Sequence, residues 1–329
     1  MIEAFAPGRV NLIGDHTDHQ GGLVLPVAID LGTAVVGERG GDRVRFRSLD
    51  EEGTVEIGLG GGPTPAAGPE WGRYIAALVE LMRPARGFVG TISTRLPIGR
   101  GLSSSAALEL SVALALGFEG SPIDLARLCQ RSEHRAVGVQ CGIMDQLASA
   151  AGVADHALLI DCHDTRITPV PIPESVDVLV VDSGERRSLT ETAYDERLTE
   201  CARAAEAVGP LRLRPDVSGI ADPVTRRRAR HVVSEIGRVS AFVRALREGD
   251  NEGAGALMME SHESLSSDFE VSTPRLDSMV QELSGTPGIY GARLTGAGFG
   301  GSVVALAARG APPPRGAVRV RASAGAHTV

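Results

Sequence analysis

Apolar positions along the chain change their period several times, and each change predicts an element. Leu23–Ile29, Gly32–Glu38, Val44–Arg47 and Thr54–Ile57 alternate or run apolar, with Gly and Asp turns between them, which predicts strands. Residues 2–13, IEAFAPGRVNLI, predict short strand pieces around a Pro7-Gly8 turn. Over Trp71–Met82 the spacing lengthens to three and four (Ile75, Leu78, Val79, Met82), as on one face of a helix. Phe88–Thr94 returns to a strand pattern, Ala106–Leu116 and Ile123–Val137 predict helices, and another helix begins near Asp145. Ala157–Asp161, Ile167–Ile172 and Val176–Val181 read as strands. Helical periods then dominate over Thr190–Val208, Val224–Leu246, Glu252–Ser266 and Pro274–Leu283. In the second of these Val232, Ile236, Val239, Val243 and Leu246 form a core stripe. Gly288–Leu294 and Ser302–Ala308 predict strands joined by TGAGFGG, and Val318–Arg321 a last strand. Gly58–Pro69 reads as a mobile Gly/Pro-rich surface loop.

The chemistry gathers where this pattern is interrupted. Pro97–Ala107, PIGRGLSSSAA, packs two glycines and three serines into Gly99–Ser105, directly before a run of good helix formers. Glycines allow a tight turn and close approach to a ligand, and a helix opening behind them offers unpaired N–H groups and a positive dipole end. Such a stretch is an anion site, most often for phosphate, unless it is only a tight turn with serine caps. Gly14–Gly22, GDHTDHQGG, sets two aspartates, two histidines and a glutamine between apolar runs. It could be a plain surface loop or a metal loop, but adjacent carboxylate, imidazole and amide groups suit a polyhydroxylated ligand best. In GVQCGIMDQLASAAG, Asp145 is either a first-turn helix acid or a general base. Glu133, near the end of its helix, gains nothing from the dipole there and is either a solvated acid or a functional one. Five glycines between Gly291 and Gly301 mark a tight hairpin or a close approach to ligand.

Composition narrows the choices. At 329 residues the chain can bury a large core and divide in two. Hydrophobic content of 43% with 22% charge is that of a soluble globule, and a net charge of −8 argues against nucleic acid as a partner. No apolar stretch reaches the roughly 18 residues of a spanning helix, so no membrane partner is expected. The start, MIEAFAPGRV, lacks a basic segment followed by an apolar run, so no signal peptide is expected. Cys129, Cys141, Cys162 and Cys201 are scattered, as for reduced thiols in a cytoplasmic protein. The chain contains no lysine: all 33 basic residues are arginine. That excludes a P-loop lysine, a protein-kinase strand lysine and a Schiff base, so a phosphotransferase built from this chain must neutralise phosphate with amides, Mg²⁺ and arginine.

Taken together and in order, GRVNLIGDHTDHQGG, PIGRGLSSSAALE, CGIMDQ, SSDFEVSTPRLD and GARLTGAGFGG resemble the GHMP small-molecule kinases, and among them the galactokinase branch. The resemblance covers nearly the whole chain. It implies an α+β, two-domain fold: an N-terminal domain like ribosomal protein S5 domain 2 over 1–172, able to recruit 317–329, and a ferredoxin-like domain over 173–316. The active site is expected between them. It implies ATP-dependent phosphorylation of the anomeric hydroxyl of a small sugar, galactose first. Asp145 takes the proton of that hydroxyl, with Arg9 keeping the carboxylate ionised and stabilising the phosphoryl charge. Ser105 and Glu133 hold Mg²⁺. Gly99, Gly101, Leu102, Ser103, Ser104, Ser105 and Ala106 form the ATP-binding stretch. Asp15, His16, Asp18, Gly142 and Tyr194 hold sugar hydroxyls.

Some positions depart from that family. Galactokinases usually have glutamate at Asp15, tyrosine at His19, asparagine or proline at Gln140 and histidine or lysine at Arg187. Aspartate is one methylene shorter and leaves a gap at the sugar's 6-hydroxyl. DHQGG also resembles sugar-acid kinases, but those lack an acid at Asp15. There, like charges at about 4 Å repel by roughly 4 kcal/mol at an effective dielectric near 20, which favours a neutral sugar. An anomeric kinase for another sugar, a sugar acid or a cyclitol, and a non-catalytic sugar/ATP sensor, are the competing readings. A known galactose sensor lacks a Ser-Ala pair that Ser105 and Ala106 supply here.

Overall fold

The structure is a computed structural model that describes residues 1–60, 68–138, 140–185, 190–214 and 216–329. Most of the Gly/Pro loop expected at 58–69, and Arg187 with its neighbours 186–189, fall outside the described residues. The strands are β1 (Ile2–Asn11), β2 (Leu23–Val24), β3 (Pro26–Arg39), β4 (Arg43–Ser48), β5 (Thr54–Gly58), β6 (Phe88–Thr94), β7 (His156–Asp161), β8 (Arg166–Pro171), β9 (Val176–Asp182), β10 (Ile289–Thr295), β11 (Ser302–Ala308), β12 (Ala317–Val320) and β13 (His327–Thr328). The helices are α1 (Gly72–Met82), α2 (Ser104–Ala115), α3 (Pro122–Val137), α4 (Met144–Ala151), α5 (Thr190–Val208), α6 (Pro223–Glu248), α7 (Asn251–Ser267) and α8 (Pro274–Ser284). Sheets are antiparallel except for the β4–β6 pair, and the class is α+β, as expected.

Helix boundaries follow local chemistry. Ser121 and Asp124 form a capping box before α3, with Pro122 in its first turn and Gly138 in the left-handed region at its end. Asp222 caps α6 ahead of Pro223, and Thr273 caps α8 ahead of Pro274. The central helix α2 is buried along most of its length and packs on β1 and β3.

The first sheet has the order β13-β1-β3-β6-β4-β5, beside a small β2-β7-β8 sheet. Residues 2–13 do not break into pieces at Pro7-Gly8. β1 is one strand, and its register against β3 shifts between Pro7 and Arg9. The Pro-Gly signal marks a bulge, because the 14-residue partner strand β3 holds both sides in one ladder. A Cβ at Gly8 would lie 2.6 Å from the Leu102 carbonyl, so only glycine lets the bulge meet the loop before α2.

The second main sheet has the order β10-β11-β9-β12, with α7 and α8 packed on β10. Here the last strand departs from expectation. β12 does not return to the first sheet; it pairs antiparallel with β9, which would otherwise expose an edge. The crossing begins only at Arg321, whose carbonyl accepts from Asp30 N, and ends where β13 pairs with β1. One core cluster includes Val10, Leu110 and Leu147 but also Val178 of β9 and Leu306 of β11, so apolar packing continues across residue 172; a second lies among β9–β11 and α5–α8.

Candidate active site

A cleft of about 540 Å³ opens over α2, α3 and α4 on one side and the β10–β11 turn on the other. Its floor is the stretch 99–105. Gly99, Gly101 and Ser103 all have φ between 59° and 82°, which coils the chain so that α2 begins with no side chain capping its first turn. The first amides of α2 are left for a ligand. Three contacts hold the loop in place. Arg9 N donates to Leu102 O (3.1 Å), Arg9 Nη1 to Gly101 O (2.6 Å) and Ser302 Oγ to Arg100 O (2.7 Å). Arg100 also pairs with Asp182 at 3.2 Å. Thus the β1 bulge and the start of β11 both clamp the turn.

Asp145 sits in the first turn of α4. Arg9, only 2% exposed, grips it through Nε to Oδ1 and Nη2 to Oδ2, both at 2.8 Å. Ser103 Oγ donates to Oδ2 at 2.5 Å, which is why that serine does not cap α2. The Asp145 side chain remains 32% exposed and faces the cleft. A two-pronged arginine grip orients a carboxylate while leaving lone pairs free.

Glu133, on α3, accepts from Ser105 Oγ (2.7 Å) and from Gln146 Nε2 (2.5 Å). The hydroxyl and carboxylate oxygens therefore meet at the start of α2, a hard-oxygen pair of the type Mg²⁺ prefers beside phosphate oxygens. Among the described residues no group of three or more His, Cys, Asp or Glu forms a metal cage, the Asp15–His19 loop included.

The loop after β1 lines the other end. Asp15, His16 and Asp18 face the cleft together with Gly142 and Tyr194. Asp15 is 1% exposed; its Oδ1 accepts from Gly296 N (3.1 Å) and its Oδ2 lies 2.7 Å from Arg293 Nη2. Burial raises the Asp15 carboxyl above its ordinary range, against the pull of Arg293 and Arg9. Burial and the nearby Asp145 push Asp18 up to about 6. Asp18 Oδ2 lies by Met144 N (3.5 Å), and a Cβ at Gly142 would collide with this carboxylate. His16 has φ 64° and stacks near Phe269 and Tyr194, at 4.5 and 5.9 Å between ring centroids. Burial, with His19 and His231 nearby, lowers its pKa well below the ordinary value and keeps it neutral. His19, which does not line the cleft, is lowered by burial to about 4.

Two expected members of the ATP-binding stretch do not line the cleft. Leu102 and Ala106 are 2% and 0% exposed and belong to the core, because the coil of the turn directs them under α2. The other site residues all line it. Sequence reasoning overlooked Gln146, next to Asp145; Trp71, Tyr74, Ile98 and Leu108, which give the cleft an apolar end; and Arg293. The signal for Arg293 was present: it is the one charged residue in the otherwise apolar strand segment Ile289–Leu294.

A family model for the galactokinase galactose-binding signature matches residues 2–39, and models for the GHMP kinase N-terminal and C-terminal domains match 73–153 and 242–326. The chain is 40% identical to a human galactokinase, covering 94% of this chain and 84% of that one. It is 43% identical to a galactokinase of Roseiflexus, covering 92% and 83%. Among solved structures, a Lactococcus lactis galactokinase complexed with galactose superposes with a TM-score of 0.91 at 29% identity, over 99% of this chain and 94% of that one. A Methanococcus jannaschii mevalonate kinase matches with a TM-score of 0.71 at 22% identity, over 98% of each chain, which speaks to the shared fold.

Proposed function

This chain belongs to the galactokinase family of GHMP kinases, and from that premise we propose that it transfers the γ-phosphoryl group of ATP to the anomeric hydroxyl of galactose. The observation that carries the reading is Asp145, held in two places by Arg9 at the mouth of a glycine-serine turn and facing the same cleft as Asp15, His16 and Asp18.

The sugar lies against Asp15, His16, Asp18, Gly142 and Tyr194, with its anomeric oxygen toward Asp145. The triphosphate lies over the amides of residues 101–105, and the base toward Trp71, Ile98 and Leu108. As the anomeric oxygen bonds to the γ-phosphorus, its proton passes to Asp145 Oδ and the bond to the β–γ bridging oxygen breaks, releasing ADP. Arg9 orients the carboxylate and faces the charge on the transferring group. Positioning and charge neutralisation dominate such a transfer, and a general base adds about 10²–10⁴-fold. Ser105 and Glu133 would hold Mg²⁺, whose chemistry here is to neutralise the β- and γ-phosphates. With no lysine in the chain, that role falls to amides, arginine and the cation. In this reading residues 1–172 with the returning segment after Arg321 form the ATP- and sugar-binding half, and 173–316 the other. Four free cysteines accord with a cytoplasmic setting.

The test is ADP release by purified protein with ATP, Mg²⁺ and, in turn, galactose, galacturonate, arabinose, glucose and galactosamine. Galactose is expected to give the highest kcat/KM. A higher value for another sugar reassigns the substrate, and binding of galactose and ATP with no ADP release makes the protein a sensor.

A further inference from the structure

Behind the sugar loop, Asp15 joins a buried charge cluster whose other members take no part in the transfer just described. Arg293, on β10, is 0% exposed and does not line the cleft. Its Nη2 is 2.7 Å from Asp15 Oδ2 and 3.9 Å from Glu235 Oε1, and its Nη1 donates to Asn11 O at 3.3 Å. Glu235, on α6, is also 0% exposed. Its Oε1 accepts from Gly14 N (2.9 Å) and Ser261 Oγ (2.5 Å), and its Oε2 accepts from Arg238 Nε (2.7 Å). His231, on the same helix, meets the Asp15 carbonyl through Nε2 at 3.1 Å. Two carboxylates and two guanidiniums thus join the first sheet to β10 and α6 beneath the residues expected to touch sugar.

We propose that Arg293 is a positioning residue for sugar recognition: it draws Asp15 toward β10 and offsets the cost of burying its charge, so that Asp15 meets the sugar as a fixed acceptor. The inference rests on the sugar-kinase reading above and deepens it. A buried carboxylate without a cation takes up a proton and becomes a donor as well as an acceptor. The groups facing Asp15 are Arg293 from β10, Glu235 and His231 from α6, Arg9 and Asn11 from β1, and His16 and Asp18 from its own loop. Of the cations, Arg293 acts on Asp15 most strongly, ahead of Arg9. Glu235 has a second arginine of its own; burial works against its charge, but Arg293, His231 and Arg238 hold it down to about 2. Removing Arg293 therefore takes from Asp15 its nearest cation, while Glu235 still has Arg238 at 2.7 Å. The geometry also fixes direction. With Oδ1 on the Gly296 amide and Oδ2 toward Arg293, the Asp15 carboxyl is tied on the β10 side.

The experiment measures ADP release and galactose binding by calorimetry for the wild type, Arg293→Met, Arg293→Lys, Asp15→Asn and the Arg293→Met/Asp15→Asn double variant, across pH 5.5–9. Arg293→Met is expected to raise KM and Kd for galactose at least tenfold while KM for ATP stays within twofold. The acid limb of kcat/KM for galactose should move at least one pH unit toward alkaline. The double variant should be no worse than Asp15→Asn alone and should lose the displaced limb. Arg293→Lys, which keeps the charge and loses the fork, should raise KM for galactose without moving the limb. Equal losses toward ATP and galactose, or an unmoved limb in Arg293→Met, overturns the proposal. If Arg293→Met does not fold, Arg293→Lys decides: an unchanged KM for galactose or a moved limb overturns it. A wild type that neither phosphorylates nor binds galactose overturns the sugar-kinase reading, whereas a normal wild type with the failures above overturns only the role of Arg293.

Discussion

The two ends of the cleft hold their acids in opposite ways. At the phosphate end Asp145 is partly exposed and gripped by a buried arginine and a serine, so its orientation is set by contacts within the first half of the chain. At the sugar end Asp15 and Asp18 sit three residues apart in one loop, yet among the described residues only Asp15 faces a close arginine, and that arginine comes from β10. Asp18 is pushed up to about 6 by burial and by Asp145. The difference teaches that proximity in sequence does not give two carboxylates the same charge behaviour; the element packed behind each one does.

The largest separation between the ends is expected from Asp145→Asn. It should lower kcat by about 10²–10⁴-fold while isothermal titration still detects ATP and galactose; wild-type-like turnover removes Asp145 from the chemistry. Glu133→Gln should weaken Mg²⁺ dependence next, raising the concentration for half-maximal rate by about 10–100-fold with KM for galactose unchanged. A rise in the galactose KM instead would assign Glu133 to the sugar.

At the sugar end, pH is the sharper tool. In the proposed reading Asp18 accepts sugar hydroxyls when ionised, so kcat/KM for galactose should be flat above about pH 6 and fall as pH drops through that value. Stability runs the other way. The folded-state pKa is raised above the ordinary 3.8, so the folded protein binds the proton more tightly than the unfolded chain does. The ionised group is therefore destabilising above pH 6, and this penalty is relieved between pH 6 and 4. Asp18→Asn should raise Tm at pH 7.5 while weakening galactose binding; a lowered Tm would mean that the carboxylate is stabilised by contacts beyond those described.

Gly142→Ala should have a smaller effect, raising KM for galactose roughly three- to tenfold with Tm nearly unchanged, because the new methyl displaces a movable Asp18 side chain rather than backbone. The smallest change is expected from Asp15→Glu, which should shift relative kcat/KM toward galactose over bulkier sugars. Unchanged ratios would show that Asp15 does not meet the discriminating hydroxyl.

The legible parts were local. Phe88–Thr94 and Ser302–Ala308 form strands over the expected residues, and the helices from α1 to α8 lie within a few residues of their apolar stripes, because periodicity and caps act over one or two turns. That Arg9, Asp145 and the serine turn face one cleft was suggested by the resemblance alone, since the residues by themselves left Asp145 as a first-turn helix acid or a base. The misread parts were decided at a distance. Pro7-Gly8 carries an ordinary turn signal, but pairing with β3 and the Leu102 carbonyl make it a bulge.

What the order of residues settled was the family, the helix and strand periods, and the inventory of acids, serines and arginines without lysine. What folding decided was which of those groups share one small volume and what charge each keeps there. Arg293 and Asp15 are 278 positions apart in the chain and 2.7 Å apart in the fold. Solvation and Coulomb forces act through space and burial, so an acid's behaviour becomes readable only when the neighbours that exclude its water are known.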